Sequence, residues 1–327
     1  MLRIQTLQQN VPGGAVREAT LEELPKLLTQ QSRIVWVDLH APTAEEAAVL
    51  LRVFRFHPVA VEDALEDTVH PKVDDYGDYL YVVLHGVLDD KLSGEGTVEM
   101  HEVDFFLGKN YVVTHHDQLS RSIEHVWTRL KRQPEFFVGG PDFMFQAVVE
   151  QMIDRYMPVI EAFDERIDEL EDKVFQGEAG PRVLEQIFGY KRTSLKLRRT
   201  VHPQREVIRN LSAGQYPLIS REAQILLRDV YDHLFTVAEL IESYRDLLSG
   251  ALDAHLSVTS NKMNEIMKTL TIITTVLMPI AVLSGIYGMN FQYLPLATHW
   301  WGFFAVSGIM MALGGGMVGF VIRRRWL

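Results

Sequence analysis

Residues Ser260–Asn290 read SNKMNEIMKTLTIITTVLMPIAVLSGIYGMN. Their second half, Leu270–Met289, is an uncharged run of about twenty residues, the length that crosses a bilayer core. Within it and just before it, Asn264, Met267, Thr271, Thr274, Met278, Ala281, Gly285 and Gly288 recur at alternating spacings of three and four, which places them on one helical face. That face is small, hydroxylated or thioether rather than uniformly apolar, so it need not be the face that meets lipid. The run closes on Tyr287-Gly288-Met289-Asn290, where glycine and a polar amide break the helix. The stretch predicts a membrane helix that lines something.

At 327 residues the chain has room for two domains, or for one domain and a membrane part. A formal charge of −11 argues against nucleic acid as a partner, because that calls for a basic face. The mean hydropathy of 0.00 is an average over two unlike parts. Without cysteine there are no disulfides and no thiolate metal sites, and the redox compartment stays open. The opening residues, MLRIQTLQQN, contain no apolar run of signal-peptide length, so the first ~265 residues are expected in the cytosol.

Ile34–Leu39 (IVWVDL) reads as a buried strand. Thr43 with Glu46 three residues on is a capping-box pattern that opens a helix, and a second helix begins at Pro58. Tyr79–Leu88 and Val98–Leu107 read as strands, and Tyr111–Thr114 follows the hairpin signal Gly108-Lys109-Asn110. After Gly139-Gly140-Pro141 the pattern turns to long helices. Asp142–Phe175 carries one apolar stripe with dense acids elsewhere, and Pro181 starts a helix running to about Asn210. Ser220 caps a last helix that meets no proline before Pro279; continuous to Gly288, it measures about 70 residues or ~100 Å.

A second uncharged run, Trp300–Ile322, is also long enough to span, and its Gly308, Ala312 and Gly316 have the small-xxx-small spacing of close helix contact in lipid. Trp300, Trp301 and Trp326 sit at its ends. Arg323, Arg324 and Arg325 follow it, whereas the link Phe291–His299 has no Lys or Arg. The positive-inside bias therefore places both termini in the cytosol and the link outside. Two helices cannot enclose a polar path, so several identical chains in a closed ring would have to surround it.

The Tyr287-Gly288-Met289-Asn290 end of a Pro-containing span, the short link, the second span and the basic end in Trp326-Leu327 resemble the CorA family of magnesium transporters, the Gly-Met-Asn superfamily with two transmembrane helices. His57–Asp63 (HPVAVED), Pro71-Lys72-Val73, Tyr79-Leu80, Arg228–His233 (RDVYDH) and Ser260-Asn261-Lys262 are similar to family patterns too, so the resemblance covers the chain from about Ile34. The fold expected from residues and resemblance together is an α+β membrane protein. A cytosolic α/β funnel domain occupies 1–135 and long stalk helices 141–265, continuing into a pore-lining transmembrane helix at 266–290. An outer loop at 291–299, a second transmembrane helix at 300–322 and a basic cytosolic tail at 323–327 complete it.

The resemblance implies a homopentamer in a bacterial inner membrane, multi-pass, admitting Mg²⁺ and Co²⁺ down the electrochemical gradient and gated by intracellular Mg²⁺. It implies a selectivity filter of Gly288, Met289 and Asn290. Mg²⁺ sheds water reluctantly, and a ring of Asn290 amides accepts hydrogen bonds from its hydration shell without stripping it. On the residues alone, a helix C-cap and a filter are both open, since Gly and Asn are common at caps. Met267, Leu270 and Met278 resemble the family's hydrophobic constriction, with Leu270 or Thr271 as the lining residue. Thr274 lines the same face, and Asn264 would form a polar ring on the cytosolic side. Pro279 frees a carbonyl one turn back and would bend the helix. Asp229 and Asp89 (or Asp90) match the positions of the family's regulatory acids, where Mg²⁺ would bridge subunits, and Asp253, a third regulatory candidate, resembles its acidic ring at the inner pore mouth; acids on a helix face are otherwise simply solvated.

Two features depart from the family pattern. Ala281 stands where a hydroxyl is expected, and the link reads Leu294-Pro295-Leu296-Ala297 with no acid to concentrate cations at the mouth. The chain has no ATP-binding loop, no organic cofactor is implied, and no catalytic constellation supports an enzyme. Its twelve histidines lack an HExxH arrangement and read as ordinary surface or core residues. The partners expected are the chain itself, the lipid bilayer and divalent cations. A ZntB-type zinc transporter of the same superfamily and a membrane-anchored sensor or interaction module are the alternatives. Met289 between Gly288 and Asn290 favours magnesium over zinc.

Overall fold

The computed structural model describes residues 1–9, 15–66, 70–89, 92, 96–177, 180–289, 294–296 and 299–324. It forms two compact units, Met1–Leu252 and Asp253–Leu327.

The first unit opens with β1 (Leu2–Gln8), β2 (Ala15–Glu18) and a short helix, α1 (Leu24–Leu28). The IVWVDL strand is β3 (Arg33–His40). Helix α2 (Ala44–Arg52) begins with the anticipated capping box: Glu46 N donates to Thr43 Oγ1 at 3.2 Å and Thr43 N donates to Glu46 Oε2 at 2.9 Å. Helix α3 (Pro58–Leu65) has Pro58 in its first turn and His57 as its cap, with Nδ1 accepting from Val59 N. Strands β4 (Lys72–Asp75), β5 (Tyr79–Val87), β6 (Met100–Gly108) and β7 (Tyr111–His116) complete a seven-stranded sheet in the order β2-β1-β3-β7-β6-β5-β4. Strands β3 and β7 pair parallel and the others antiparallel, so the sheet is mixed.

Three of these strands are absent from the sequence reading, for identifiable reasons. β1 carries Gln5 and Thr6, both fully buried, where an apolar alternation would have marked a core strand. β2 and β4 are four-residue edge strands with charged side chains, the usual protection of a sheet edge.

Helices α1, α2 and α3 cover one face of the sheet, around Val35, Val37, Tyr81, Val83, Phe106 and Val113. On the other face lie α4 (Arg121–Arg132) and α5 (Pro141–Asp154). There Trp36 meets Trp127 with ring centroids 4.8 Å apart, and Phe105 meets Phe145 at 5.1 Å. Buried on this face, Asp38 accepts from Thr114 Oγ1 and from Arg3 Nε at 2.8 Å, with His116 Nε2 at 3.2 Å. Burial resists its ionisation, but His116, Arg3 and Thr114 together hold its carboxyl below the usual carboxylate range. His101 lies close over Gly86, where a Cβ would stand 2.9 Å from its Cε1. Burial, then the charges of His116, His85 and Arg155, push its imidazole down to about 4.

The stripe over Asp142–Phe175 is not one helix. Helix α5 ends at Asp154 and α6 (Tyr156–Phe175) begins after Arg155. Pro158 is the cause: it has no N–H for the carbonyl four residues back, that of Asp154. An uninterrupted three-four stripe conceals such a break because the apolar face resumes on the same side. Helix α7 (Pro181–Ser212) follows, and then α8 (Arg221–Tyr287), a single helix of 67 residues. Ser220 caps α8 by accepting from Ala223 N at 3.2 Å. In the first unit Phe163 of α6 sits edge-on to Tyr190 of α7 and Tyr244 of α8, each with centroids 5.7 Å away. The last helix is α9 (Gly302–Arg323). The chain thus has an N-terminal α/β part, a long helix and a C-terminal apolar helix, as its sequence indicates.

Candidate functional site

In the second unit, the residues of α8 divide into two sides. Ile272, Val276, Pro279, Ile280, Leu283 and Tyr287 are partly covered, and Ile280 reaches α9 at Gly314. At about 100° per residue, the centre of this covered side lies about 180° from the centre of the stripe Asn264, Met267, Thr271, Thr274, Met278, Ala281, Gly285 and Gly288. Every residue of that stripe is exposed in the single chain, Met267 to 54% and Met278 to 64%. Leu270 and Thr271 lie on opposite flanks of the stripe and are both exposed. None of the most apolar 18-residue window of α8 is buried, and α9 is almost as bare. Both helices are long and apolar enough to cross a membrane.

The hydroxyls of this segment turn inward on their own helix. Thr271 Oγ1 donates to Met267 O at 2.7 Å, Thr274 Oγ1 to Leu270 O at 2.9 Å and Thr275 Oγ1 to Thr271 O at 2.7 Å. With the proton committed to the backbone, each oxygen presents lone pairs outward and acts as an acceptor. A stripe of acceptors, thioethers and bare backbone suits a cation that arrives wearing water, whose hydrogens point away from the ion. α8 runs through Pro279, which leaves the Thr275 carbonyl without its helical donor.

At the end of α8, Gly288 N donates to Ser284 O at 2.9 Å and Met289 N to Ile286 O at 3.3 Å, a tightening of the last turn. A Cβ on Gly288 would stand 3.2 Å from Ser284 O, so the glycine allows a close approach of backbone to backbone. Asn290 and Arg325 lie outside the described residues. Arg323 ends α9, and Arg324 follows with its guanidinium 5.7 Å from the centre of the Phe320 ring.

Of the three acids singled out for regulation, Asp229 and Asp253 are exposed on α8. Asp89, just beyond β5, accepts from Arg121 Nη2 at 2.7 Å, both side chains being more than half exposed. Arg121 opens α4, 32 residues away, and no spacing in the sequence points to that pairing. Among the described residues no three His, Asp or Glu side chains are already arranged around a metal-sized point. The sequence reading also gives no hint of a cavity of 870 Å³ in the α/β unit, between the ends of β5, β6 and β7 and one side of α7. It is lined by residues of α3, of the sheet strands and of α7 that are far apart in the chain and meet only in the folded unit.

The profile of the family described as CorA-like Mg²⁺ transporter protein matches residues 31–324. The cobalt/magnesium transport protein CorA of Thermotoga maritima is 34% identical over 275 residues, covering 84% of this chain and 78% of that one. The complete structure of the CorA magnesium transporter from Methanocaldococcus jannaschii superposes with a TM-score of 0.84 at 22% identity, over 99% of this chain and 98% of that one. The zinc transport protein ZntB of Pectobacterium carotovorum is 22% identical over 296 residues, 89% of this chain and 88% of that protein.

Proposed function

The chain belongs to the CorA-like Mg²⁺ transporter family, whose members move divalent metal ions across membranes and are not enzymes, and from that premise we propose a homopentameric channel admitting Mg²⁺, and also Co²⁺, into the cell. The observation that carries the proposal is the exposed stripe of α8, set opposite the partly covered side on which Ile280 reaches α9. A small, oxygen-bearing face with no partner in its own chain finds one when identical copies turn it toward a common axis. In this reading residues 266–290 line the pore, 300–322 form the outer helix, and 291–299 the external loop. The α/β domain (1–135), the stalk (141–265) and the basic tail (323–327) lie in the cytoplasm beneath a bacterial inner membrane.

Gly288, Met289 and Asn290 form the filter, with Asn290 amides accepting from the water shell of the ion. Thr274 and Thr271 offer further acceptors, and Asn264 rings the inner end. Met267, Leu270 and Met278 make the apolar constriction, where dewetting closes the path. Asp89, Asp229 and Asp253 bind regulatory Mg²⁺ between subunits, so a full cytosol holds the stalks together. The driving force is the membrane potential: two charges crossing 100 mV gain about 4.6 kcal/mol.

A ZntB-type zinc transporter is the second reading, from the shared plan. Met289 in the filter motif and the higher identity to the cobalt/magnesium protein favour magnesium. The test is Mg²⁺ flux into liposomes holding the purified chain, with and without internal Mg²⁺. Flux that internal Mg²⁺ suppresses is expected. No Mg²⁺ flux beside rapid Zn²⁺ entry overturns the magnesium reading. Flux unchanged by Asn290→Ala, which a membrane-anchored sensor would predict for any ion response, overturns the pore.

A further inference from the structure

The cavity of 870 Å³ in the α/β unit holds a histidine that the proposed ion pathway does not use. His115 lines it and is only 3% exposed. Cross-strand pairing sets His115 of β7 beside Asp104 of β6. Its Nδ1 lies 3.1 Å from Asp104 Oδ2, while Asp104 Oδ1 accepts from Tyr81 Oη at 2.7 Å. With Asp104 accepting at Nδ1, the lone pair falls on Nε2. That atom is buried and has no hydrogen-bond partner; Asp117 Oδ1 is 3.9 Å from it. An imidazole fixed by a carboxylate at one nitrogen, with the other left open, is the arrangement in which protein histidines hold metals.

We infer that His115 Nε2 and Asp117 form a binding site in the α/β unit for a borderline transition-metal divalent such as Co²⁺, Ni²⁺ or Zn²⁺. Ligand bonds of about 2.0–2.2 Å put two donors of a tetrahedral ion about 3.4 Å apart. Asp117, 65% exposed, has room to make that small shift. His85 and Glu102, a cross-strand pair on the same sheet face, line the same cavity and stand 3.5 Å apart, and water completes the coordination sphere. Three ligands are not yet gathered at one point among the described residues, so binding draws the site together. The α7 wall contributes Arg192, Lys196 and Arg199, and Lys196 already donates to Val98 O at 2.9 Å. Glu66, Glu102, Asp104 and Asp117 line the same space and offset those cations. A nitrogen donor disfavours Mg²⁺, which keeps to oxygen. The site therefore distinguishes transition metals from magnesium, a distinction that the oxygen-bearing stripe of α8 does not draw in the same way. It stands independently of the channel reading.

The test is Co²⁺ titration of the full-length purified chain in a large excess of Mg²⁺, which occupies oxygen-lined sites, followed by visible absorption of nitrogen-ligated cobalt. Retained Co²⁺ is expected, weakened at least tenfold by His115→Gln and by Asp117→Asn. Asp117 is at the surface, so its variant decides the matter even where His115→Gln does not fold. Complete displacement of Co²⁺ by Mg²⁺, or an isotherm unchanged by Asp117→Asn, overturns the inference.

Discussion

Ile280 and Gly314 fix which side of α8 is closed within its own chain: the Ile280 Cδ1 methyl stands 3.0 Å from the place a Cβ on Gly314 would take. The glycine lets α9 approach, and the opposite stripe is left bare. A methyl at 314 needs Ile280 to yield by only a few tenths of an ångström, whereas a larger side chain cannot be taken up so simply. Gly314→Ala is therefore expected to fold and assemble normally, and Gly314→Leu to lose about 1–3 kcal/mol through overpacking. Thermal unfolding of the detergent-solubilised protein measures this. Equal melting midpoints for the two variants would refute the close contact.

Along the bare stripe, Thr274→Val keeps the shape of the side chain and removes its oxygen. The channel reading predicts normal assembly and a several-fold drop in Mg²⁺ flux, a hydrogen bond being worth about 0.5–1.5 kcal/mol. Asn290→Ala is expected to abolish flux. Radiometric or dye-reported uptake into liposomes distinguishes these from a tether, for which both variants behave as wild type.

Asp89 is held by Arg121 at 2.7 Å. If Asp89 binds regulatory Mg²⁺, the guanidinium competes for the same carboxylate. An exposed pair of this kind is worth about 0.2–1 kcal/mol, so Arg121→Ala is expected to lower the internal Mg²⁺ needed for half-closure by up to about fivefold. A higher requirement, or none, would show that Asp89 belongs to α4 packing rather than to gating.

His101 carries a pH signature. Its imidazole titrates at about 4 when folded against 6.5 in a model peptide. Between those values the unfolded chain binds the proton and the folded one does not. The stabilisation is therefore complete above pH 6.5 and fades as pH falls toward 4. A difference of about 2.5 pH units corresponds to about 3 kcal/mol. Denaturant midpoints from pH 7 to 4.5 are expected to fall less steeply in His101→Gln than in wild type; parallel slopes would refute the assignment.

What the sequence disclosed follows from where its patterns are local. The Thr43–Glu46 box, the Pro58 start and the two apolar runs each depend on neighbours within a few residues, and each is found as expected. The stripe from Asn264 to Gly288 is legible for the same reason, one helical period fixing its side. Relations made by tertiary contact are not legible. Gln5 and Thr6 are polar residues buried in β1, the Asp104–His115 contact joins two strands, and Asp89–Arg121 joins a loop to a helix. The break at Arg155 lies in between: Pro158 is a local signal, but the apolar stripe resumes on the same side beyond it and conceals the break.

The threonine bonds of α8 have a consequence for traffic other than metal ions. A hydroxyl can hand protons along a file only when it is free to rotate, giving one hydrogen away as it receives another. Thr271, Thr274 and Thr275 each have theirs tethered to a carbonyl one turn back. Along the proposed pathway Thr271 and Thr274 make an insulating wall rather than a proton wire, and any proton leak would have to be carried by the water column itself.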